Sequence, residues 1–255
     1  MKQLLLLTTL ILVPWLLAAQ NTSGEVTYKE TIQIKFDMPD ADEKIKKMIP
    51  PSQSATKVLV FTESASLYKN AGVKGEGDIE VGHEEDGQEM KFVMKRPESI
   101  LFTDLEESNT VHQREFFGRD FLVTGAARDC KWKLTGEKKK IGDYECQKAM
   151  LQDTSEQVVA WFTPQIPVPA GPGGYGMLPG LILELDIDNG NRTTIVTKLD
   201  LKAVDKIEQP TKGKKVTAEE FKVIEAEKMK EMGVEMGGQG KGVRMIIRTE
   251  DHGGH

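Results

Sequence analysis

The chain has 255 residues, 38% hydrophobic and 29% charged, a composition typical of a soluble globular protein rather than of a membrane-embedded bundle or a disordered polymer. Its net charge of -6 disfavours nucleic acid as a partner, because the chain offers no broad basic field to a phosphate backbone. Two cysteines and four histidines leave few candidates for a metal centre or a general base, so composition favours a non-enzymatic protein.

Residues 1–19 have the pattern of a secretory signal peptide. Lys2 supplies a positive charge, residues 4–17 form an apolar run, and Leu17-Ala18-Ala19 is a small-residue cleavage site. The apolar run is shorter than the roughly 20 residues of a transmembrane helix. We therefore expect an exported protein, periplasmic or secreted, that is cleaved near Ala19 and has no transmembrane segment afterwards.

Alternation of apolar and polar residues with a period of two is typical of half-buried strands, and it dominates the chain after residue 20. The strand candidates are residues 26–36, 57–63, 88–94, 99–103, 110–116, 121–124, 157–163, 181–188 and 193–201, together with a hairpin that carries the cysteines. Asn189-Gly190 supplies the positive φ angles of a hairpin turn between the last two strands. We predict a mainly β fold with a single antiparallel sheet that is strongly curved or half closed.

One helix is predicted late in the chain. It begins at the capping box of Thr217 and Glu220 and continues with apolar residues at helical spacing, namely Phe221, Ile224, Met229 and Met232. No linker divides residues 20–232, so we expect one β-rich domain that ends with this helix. Residues 233–255 are predicted to form a flexible glycine-rich tail with one short strand candidate.

The two cysteines are expected to form a structural disulfide, because an exported protein encounters an oxidising compartment. A hairpin centred near Lys138 would set Trp132 opposite Tyr144 and Cys130 opposite Cys146. Closing the fifteen intervening residues would stabilise the fold by about 3 kcal/mol in the chain-entropy treatment. A redox-active pair is the alternative, although no activating neighbour is evident.

The most informative part of the chain is residues 164–180, here named the Gly/Pro segment, which holds five of the eleven prolines. Proline fixes the φ angle and glycine permits φ angles that other residues rarely adopt. Together they allow a long connection to hold one irregular path. We expect this segment to line or close the rim of the curved sheet. The candidate ligand-binding residues are Trp161, Tyr175, Met177 and Leu178.

The sequence around this segment resembles the GLPGLI family of exported β-rich proteins, which are typical of the Bacteroidetes. Residues 177–182 read Met-Leu-Pro-Gly-Leu-Ile, with Met177 in place of the first glycine of the family hexapeptide, and residues 161–167 read Trp-Phe-Thr-Pro-Gln-Ile-Pro. The family pattern is also matched at residues 144–149, at the Gly-Pro pair 171–172 and at the late capping box. The resemblance implies an envelope-associated protein with no established catalytic residues, related to a bowl-like domain that accompanies some glycan-processing enzymes.

Other motifs have ordinary structural explanations, and we expect no cofactor. The glycines of residues 171–176 match a dinucleotide-binding string, but Pro179 and a strand follow where a helix is needed. Asp186 and Asp188 resemble the start of a calcium loop whose twelfth position, Thr197, cannot replace glutamate. A weak alternative is copper binding by soft ligands near the C-terminus, namely Met229, Met232, Met236, His252 and His255.

The leading functional hypothesis is an exported, non-enzymatic binding or envelope-associated module. Its partner would be an unknown envelope protein, a glycan or an apolar ligand. His83 and His112 are isolated in sequence, and no nucleophile motif, zinc-protease motif or P-loop is present. The alternative is an enzyme or enzyme accessory domain acting on envelope glycans or peptides, because paired carboxylates for such chemistry need no local spacing.

Overall fold

The computed structural model describes residues 22–34, 50–72, 78–85, 88–94, 97–152 and 155–231, with only the backbone described over 79–85 and 88–94. The expected signal peptide (1–19) and glycine-rich tail (233–255) therefore lie outside the described residues. The same holds for four of the five candidate copper ligands: Met232, Met236, His252 and His255.

Strands dominate the described part of the chain. They are β1 (Gly24–Gln33), β2 (Ser52–Phe61), β3 (Ala65–Asn70), β4 (Ile79–Glu85), β5 (Gln88–Met94), β6 (Ser99–Asp104), β7 (Asn109–Phe116), β8 (Arg119–Ala126), β9 (Trp132–Ile141), β10 (Tyr144–Leu151), β11 (Val158–Thr163), β12 (Leu181–Ile187), β13 (Arg192–Leu201) and β14 (Lys214–Thr217). A 3-10 turn (Pro172–Gly174) and helix α1 (Ala218–Glu231) complete the elements. The mainly β prediction with one late helix is confirmed.

Twelve strands form one open sheet in the order β14-β8-β7-β6-β3-β2-β1-β13-β12-β11-β10-β9. Neighbouring strands are antiparallel except for β14 and β8, which pair in parallel. Strands β4 and β5 form a separate two-stranded hairpin. The predicted antiparallel sheet is thus present, with one parallel edge pair. The strand predicted at 88–94 is β5, which pairs with the unpredicted β4 outside this sheet.

The position of the 3-10 turn shows that the sheet is strongly curved. This turn lies in the connection between β11 and β12, yet it packs against β3 and β6. Five strand spacings separate β12 from β6, which is roughly 24 Å in a flat sheet. A side chain at Gly174 would lie 3.0 Å from Leu101 of β6, so the sheet must bend towards the Gly/Pro segment.

The first half of the Gly/Pro segment belongs to the core. The largest cluster of buried residues, here named the central cluster, combines strands β1–β3 with this segment: Val26, Tyr28, Leu59, Phe61, Tyr68, Cys146, Ile166, Val168, Ala170, Leu181 and Leu183. The hydroxyl of Tyr28 donates a 2.6 Å hydrogen bond to the carbonyl of Ile182, and burial raises the pKa of Tyr28 far above its usual range. This bond ties β1 to the start of β12 in the interior.

Helix α1 begins as its sequence predicts. The backbone N–H of Glu220 donates to the Thr217 hydroxyl at 3.1 Å, and the backbone N–H of Thr217 donates to the Glu220 carboxylate at 2.8 Å. Phe221 then packs edge-on against Phe116 and Phe121, at 5.7 and 5.3 Å between ring centroids. Within the described residues, no helix combines the length and apolar character needed to cross a membrane.

The disulfide prediction is wrong, because the hairpin turns at a different place. Both cysteines are free and buried. The chain reverses at Gly142 and Asp143, where Gly142 has φ of 57°, and not near Lys138. Cys146 consequently lies opposite Lys139.

Cys130 lies too far along the hairpin to reach its supposed partner. It precedes β9, and the register that sets Trp132 opposite Leu151 carries Cys130 beyond the end of β10. This is about seven positions, or roughly 20 Å, from Cys146, whereas a disulfide needs Cα atoms within about 7 Å. Burial raises the pKa of both thiols, to about 11 for Cys146, so neither is activated as a redox nucleophile.

Candidate functional site

Two cavities lie on either side of the second half of the Gly/Pro segment. The larger of the two, about 460 Å³, is here named the arginine cavity, and its lining includes Glu30, Tyr68, Arg128, Tyr175, Asn191 and Arg192. The smaller, about 230 Å³, is named the glycine slot, and its lining includes Ser66, Thr103, Gly171, Gly174, Gly176 and Met177. Arg128 and Tyr175 line both cavities and form the wall between them.

Tyr175 is held firmly in this wall. Its side chain is only 6% exposed, and the Arg128 guanidinium lies 4.4 Å from its ring centroid while Nη1 donates a 3.2 Å hydrogen bond to its hydroxyl. Trp132 packs at 6.5 Å from the same ring, and its indole N–H donates to the carbonyl of Gly176 at 2.7 Å. Burial raises the pKa of Tyr175, and Arg128 opposes part of that rise, so the phenol stays neutral near pH 7.

The carboxylate of Glu30, which lines the arginine cavity, belongs to a buried ion pair. Glu30 of β1 and Lys57 of β2 are 9% and 6% exposed, and their charged groups are 3.9 Å apart. Lys57 also donates to the side-chain oxygen of Asn70 and lies 5.7 Å from the ring centroid of Tyr68. Burying an ion pair gains little stability over an apolar pair. The Glu30 carboxylate therefore gives the cavity lining a charged group whose burial does little to stabilise the fold.

The hairpin turn between β12 and β13 forms the rim. Positive φ angles occur at Asp188, Asn189 and Gly190, as expected for a tight turn. The Asp186 carboxylate accepts a hydrogen bond from the N–H of Gly190 at 2.7 Å, and Asp188 accepts one from the N–H of Gln157 at 2.9 Å. These bonds account for both aspartates without a bound ion.

The four candidate ligand-binding residues separate in the structure. Tyr175 lines both cavities, and Met177 is 54% exposed at the glycine slot. Leu178 is buried in a second core cluster. Trp161 packs against the central cluster with the Lys139 ammonium 4.3 Å from its ring centroid, outside the lining of both cavities.

The charged residues of the arginine cavity carry no local sequence signal. Arg128, Glu30 and Arg192 come from different parts of the chain, and only the curvature of the sheet brings them together. Of the candidate copper ligands, Met229 lies on α1. Within the ranges that the structure describes, no group of three His, Cys, Asp or Glu side chains could hold a metal ion.

Met177 occupies a backbone conformation that favours glycine, with φ of 64°. We expect Met177→Gly to stabilise the protein by about 0.5–1 kcal/mol, because it removes the steric strain of a left-handed residue while exposing little apolar surface. Urea unfolding monitored by tryptophan fluorescence measures this change. Met150→Gly, within β10, is the control and should destabilise the fold; destabilisation by both variants would contradict the prediction.

Comparisons with known proteins match one segment of the chain to a protein family and most of the chain to the fold of a solved structure. Residues 151–184, which include the Gly/Pro segment, match the model of a family described as Porph_ging, protein of unknown function. No curated protein matches the chain. The fold is similar to PNGF-II in its P21 crystal form, with a TM-score of 0.53 and 16% identity over 80% of this chain and 33% of that chain. The C2 form gives 0.53 and 16%, covering 79% and 32%.

The chain therefore spans about one third of the length of PNGF-II. At 16% identity the likeness shows a shared fold and carries no residue roles.

Proposed function

We propose that this chain is an exported, non-enzymatic binding module that takes a polar ligand into the arginine cavity. The observation that carries the proposal is the cavity itself. Its volume of about 460 Å³ lies within the range of small-molecule sites. Its lining includes Glu30 of a buried ion pair, two arginines and residues of the turn that precedes β13.

The chemistry of the lining favours a glycan or a peptide over an apolar ligand. Carboxylate, guanidinium, amide and hydroxyl groups all face this cavity, from Glu30, Arg128, Asn191 and Thr194 respectively. Such groups are costly to desolvate unless a ligand replaces the hydrogen bonds of water. An apolar ligand would offer these groups no hydrogen bonds to replace those of water.

The Gly/Pro segment supports binding by holding the wall rigid. Its first half is buried in the central cluster, and its second half is fixed by hydrogen bonds such as Met177 N–H to the Pro169 carbonyl at 3.1 Å and Ile182 N–H to the Ala170 carbonyl at 3.0 Å. A wall that is ordered before binding loses little conformational entropy on binding. The segment thus contributes to affinity without contacting the ligand at every residue.

A second candidate function is that of an accessory domain to an enzyme acting on envelope glycans or peptides. The fold similarity to one third of PNGF-II is compatible with a module of a longer protein. Glu30, Glu156 and Asp188 place three carboxylates on the lining of one cavity. Hydrolysis of a bound oligosaccharide or peptide by the purified chain would favour this candidate over the first.

Obstruction of the arginine cavity tests the binding proposal. Saturation-transfer NMR of the chain with a panel of neutral and acidic mono- and disaccharides, dipeptides and tripeptides should give a saturable response with at least one compound. Asn191→Trp places a large ring in the cavity and should weaken that response at least tenfold.

The matched control is Asn109→Trp, at the exposed first residue of β7, which lines neither cavity. It should keep the response within twofold of the wild-type value. Equal weakening by both variants, or no response from any compound, would contradict the proposal.

A further inference from the structure

Two guanidinium groups from distant parts of the sequence line the arginine cavity. Arg128 lies in the connection between β8 and β9, and Arg192 is the first residue of β13. Both are close enough to the Tyr175 hydroxyl to lower its pKa, in opposition to the dominant effect of burial. Arg128 contacts Tyr175 directly, and Arg192 lines the same cavity, as does the carboxylate of Glu156.

Neither guanidinium forms an ion pair with a carboxylate of the described residues, although several carboxylates line the same cavity. Glu30 is paired with Lys57, and Asp188 accepts the N–H of Gln157. A guanidinium has five N–H donors. Arg128 uses one of them on Tyr175, so most donors of both arginines are available to a ligand.

Arg128 is also oriented before any ligand arrives. Its stacking on the Tyr175 ring at 4.4 Å and its 3.2 Å hydrogen bond to the hydroxyl restrict the rotation of a long side chain. A fixed planar fork loses less entropy on binding and matches the geometry of a carboxylate, which can accept two parallel hydrogen bonds. The stacked Arg128 guanidinium is thus already oriented to bind a carboxylate.

We propose that the arginine cavity recognises a ligand through its carboxylate, received by Arg128 and Arg192, and this inference rests on the proposed binding function. An acidic sugar and the C-terminus of a peptide both carry this group. The local arginines are necessary because the chain as a whole has a net charge of -6 and repels anions at long range.

The acidic members of the lining restrict the ligand further. Glu156 and Asp188 line the same cavity as the arginines, so a polyanion would meet repulsion from their carboxylates. A ligand with one carboxylate and several hydroxyl or N–H donors matches both kinds of charge, because its donors can be accepted by the acidic side chains. We therefore exclude sulfated and phosphorylated polymers from the expected ligand class.

Matched pairs of probes test the role of the carboxylate. Binding of D-glucuronate is compared with D-glucose, and binding of acetyl-Ala-Ala with acetyl-Ala-Ala amide, by saturation-transfer NMR on the full chain. The acid of at least one pair should bind at least tenfold more tightly than its neutral partner. The pair that responds distinguishes an acidic sugar from a peptide terminus.

Charge-neutral variants then assign the effect to residues. Arg192→Gln should reduce the affinity for the responding acid at least tenfold and abolish the preference over its neutral partner, and Arg128→Gln should do the same. Arg119→Gln, an exposed arginine at the start of β8, is the matched control and should stay within twofold of the wild type.

The outcomes separate this inference from the proposal on which it rests. If neutral and acidic probes bind equally and Asn191→Trp weakens both, the cavity is a binding site and the carboxylate inference is overturned. If no acid in either pair binds, the inference is overturned for both sources, and the wider panel decides the binding function.

Discussion

Replacing Gly180 with alanine should destabilise the protein by at least about 3 kcal/mol, which is a large share of the stability of a typical domain. Gly180 has φ of 155°, and a Cβ atom there would lie 2.1 Å from the carbonyl oxygen of Thr163 and 3.0 Å from Cα of Pro164. All of these are backbone atoms at the end of β11, so no side-chain rotation can relieve the clash. Relief would require separating the two ends of the Gly/Pro segment. Equilibrium urea unfolding measures the effect.

Gly142→Ala is the matched control for this prediction. Gly142 also has positive φ, at 57°, but an added Cβ atom would meet nothing within 4 Å. Its substitution should therefore cost about 1 kcal/mol, from backbone strain alone. If Gly180→Ala costs no more than Gly142→Ala, the close approach of the two backbones does not constrain the fold as described.

The strands that sequence periodicity identified are those with one buried face. In β1, β2 and β12 the apolar residues alternate with polar ones or run continuously through the core. Strands β3, β4 and β14 were not predicted. β3 has only six residues, and β14 has four, of which Val216 alone is buried. Strands this short have too few alternations for a period to be detected, and their pairing depends on neighbours distant in sequence.

The hairpin of the two cysteines shows how local patterns can mislead about register. Alternation of Trp132 and Tyr144 with the cysteines is compatible with more than one turn position, because the alternation shows which residues of a strand share a face and not which residues of two strands pair. Gly142-Asp143 provides a tighter reversal than the lysines near residue 138. Gly136, with φ of 81°, does not form the turn and instead lies where the register between β9 and β10 shifts.

Only part of the site could be found from the sequence. The Gly/Pro segment was recognisable because prolines and glycines mark an irregular path, and Tyr175 and Met177 indeed line the cavities. Glu30, Arg128 and Arg192 were missed because charged residues in strands and turns are ordinary surface features. Their convergence is a consequence of curvature, which brings the β11–β12 connection against β3 and β6.

The stability of the protein should fall as the pH decreases from about 6.5 to about 4, through His112 on β7. Burial, together with the nearby positive charges of Arg114 and Lys57, lowers the pKa of His112 from its usual value of 6.5 to about 4. Its ring nitrogen Nε2 is 2.8 Å from the Ser99 hydroxyl. The folded protein therefore holds this histidine neutral over a pH range in which the unfolded chain binds a proton.

The sign of the effect follows from that difference. Above pH 6.5 both states are neutral at His112 and its full contribution is present, whereas the unfolded state alone is protonated between pH 6.5 and 4, so unfolding becomes more favourable. The size is about 2–3 kcal/mol, after a reduction for the partial exposure of the ring. Urea unfolding at pH 7 and pH 4 measures it.

His112→Gln isolates this contribution from the titration of carboxylates. Glutamine can retain a hydrogen bond to Ser99 but does not titrate, so the variant should lose about 2–3 kcal/mol less than the wild type between pH 7 and pH 4. The carboxylates are common to both proteins and cancel in the difference. An identical loss in the two proteins would show that His112 is protonated in the folded state, which would require the charges of Arg114 and Lys57 to be displaced from it.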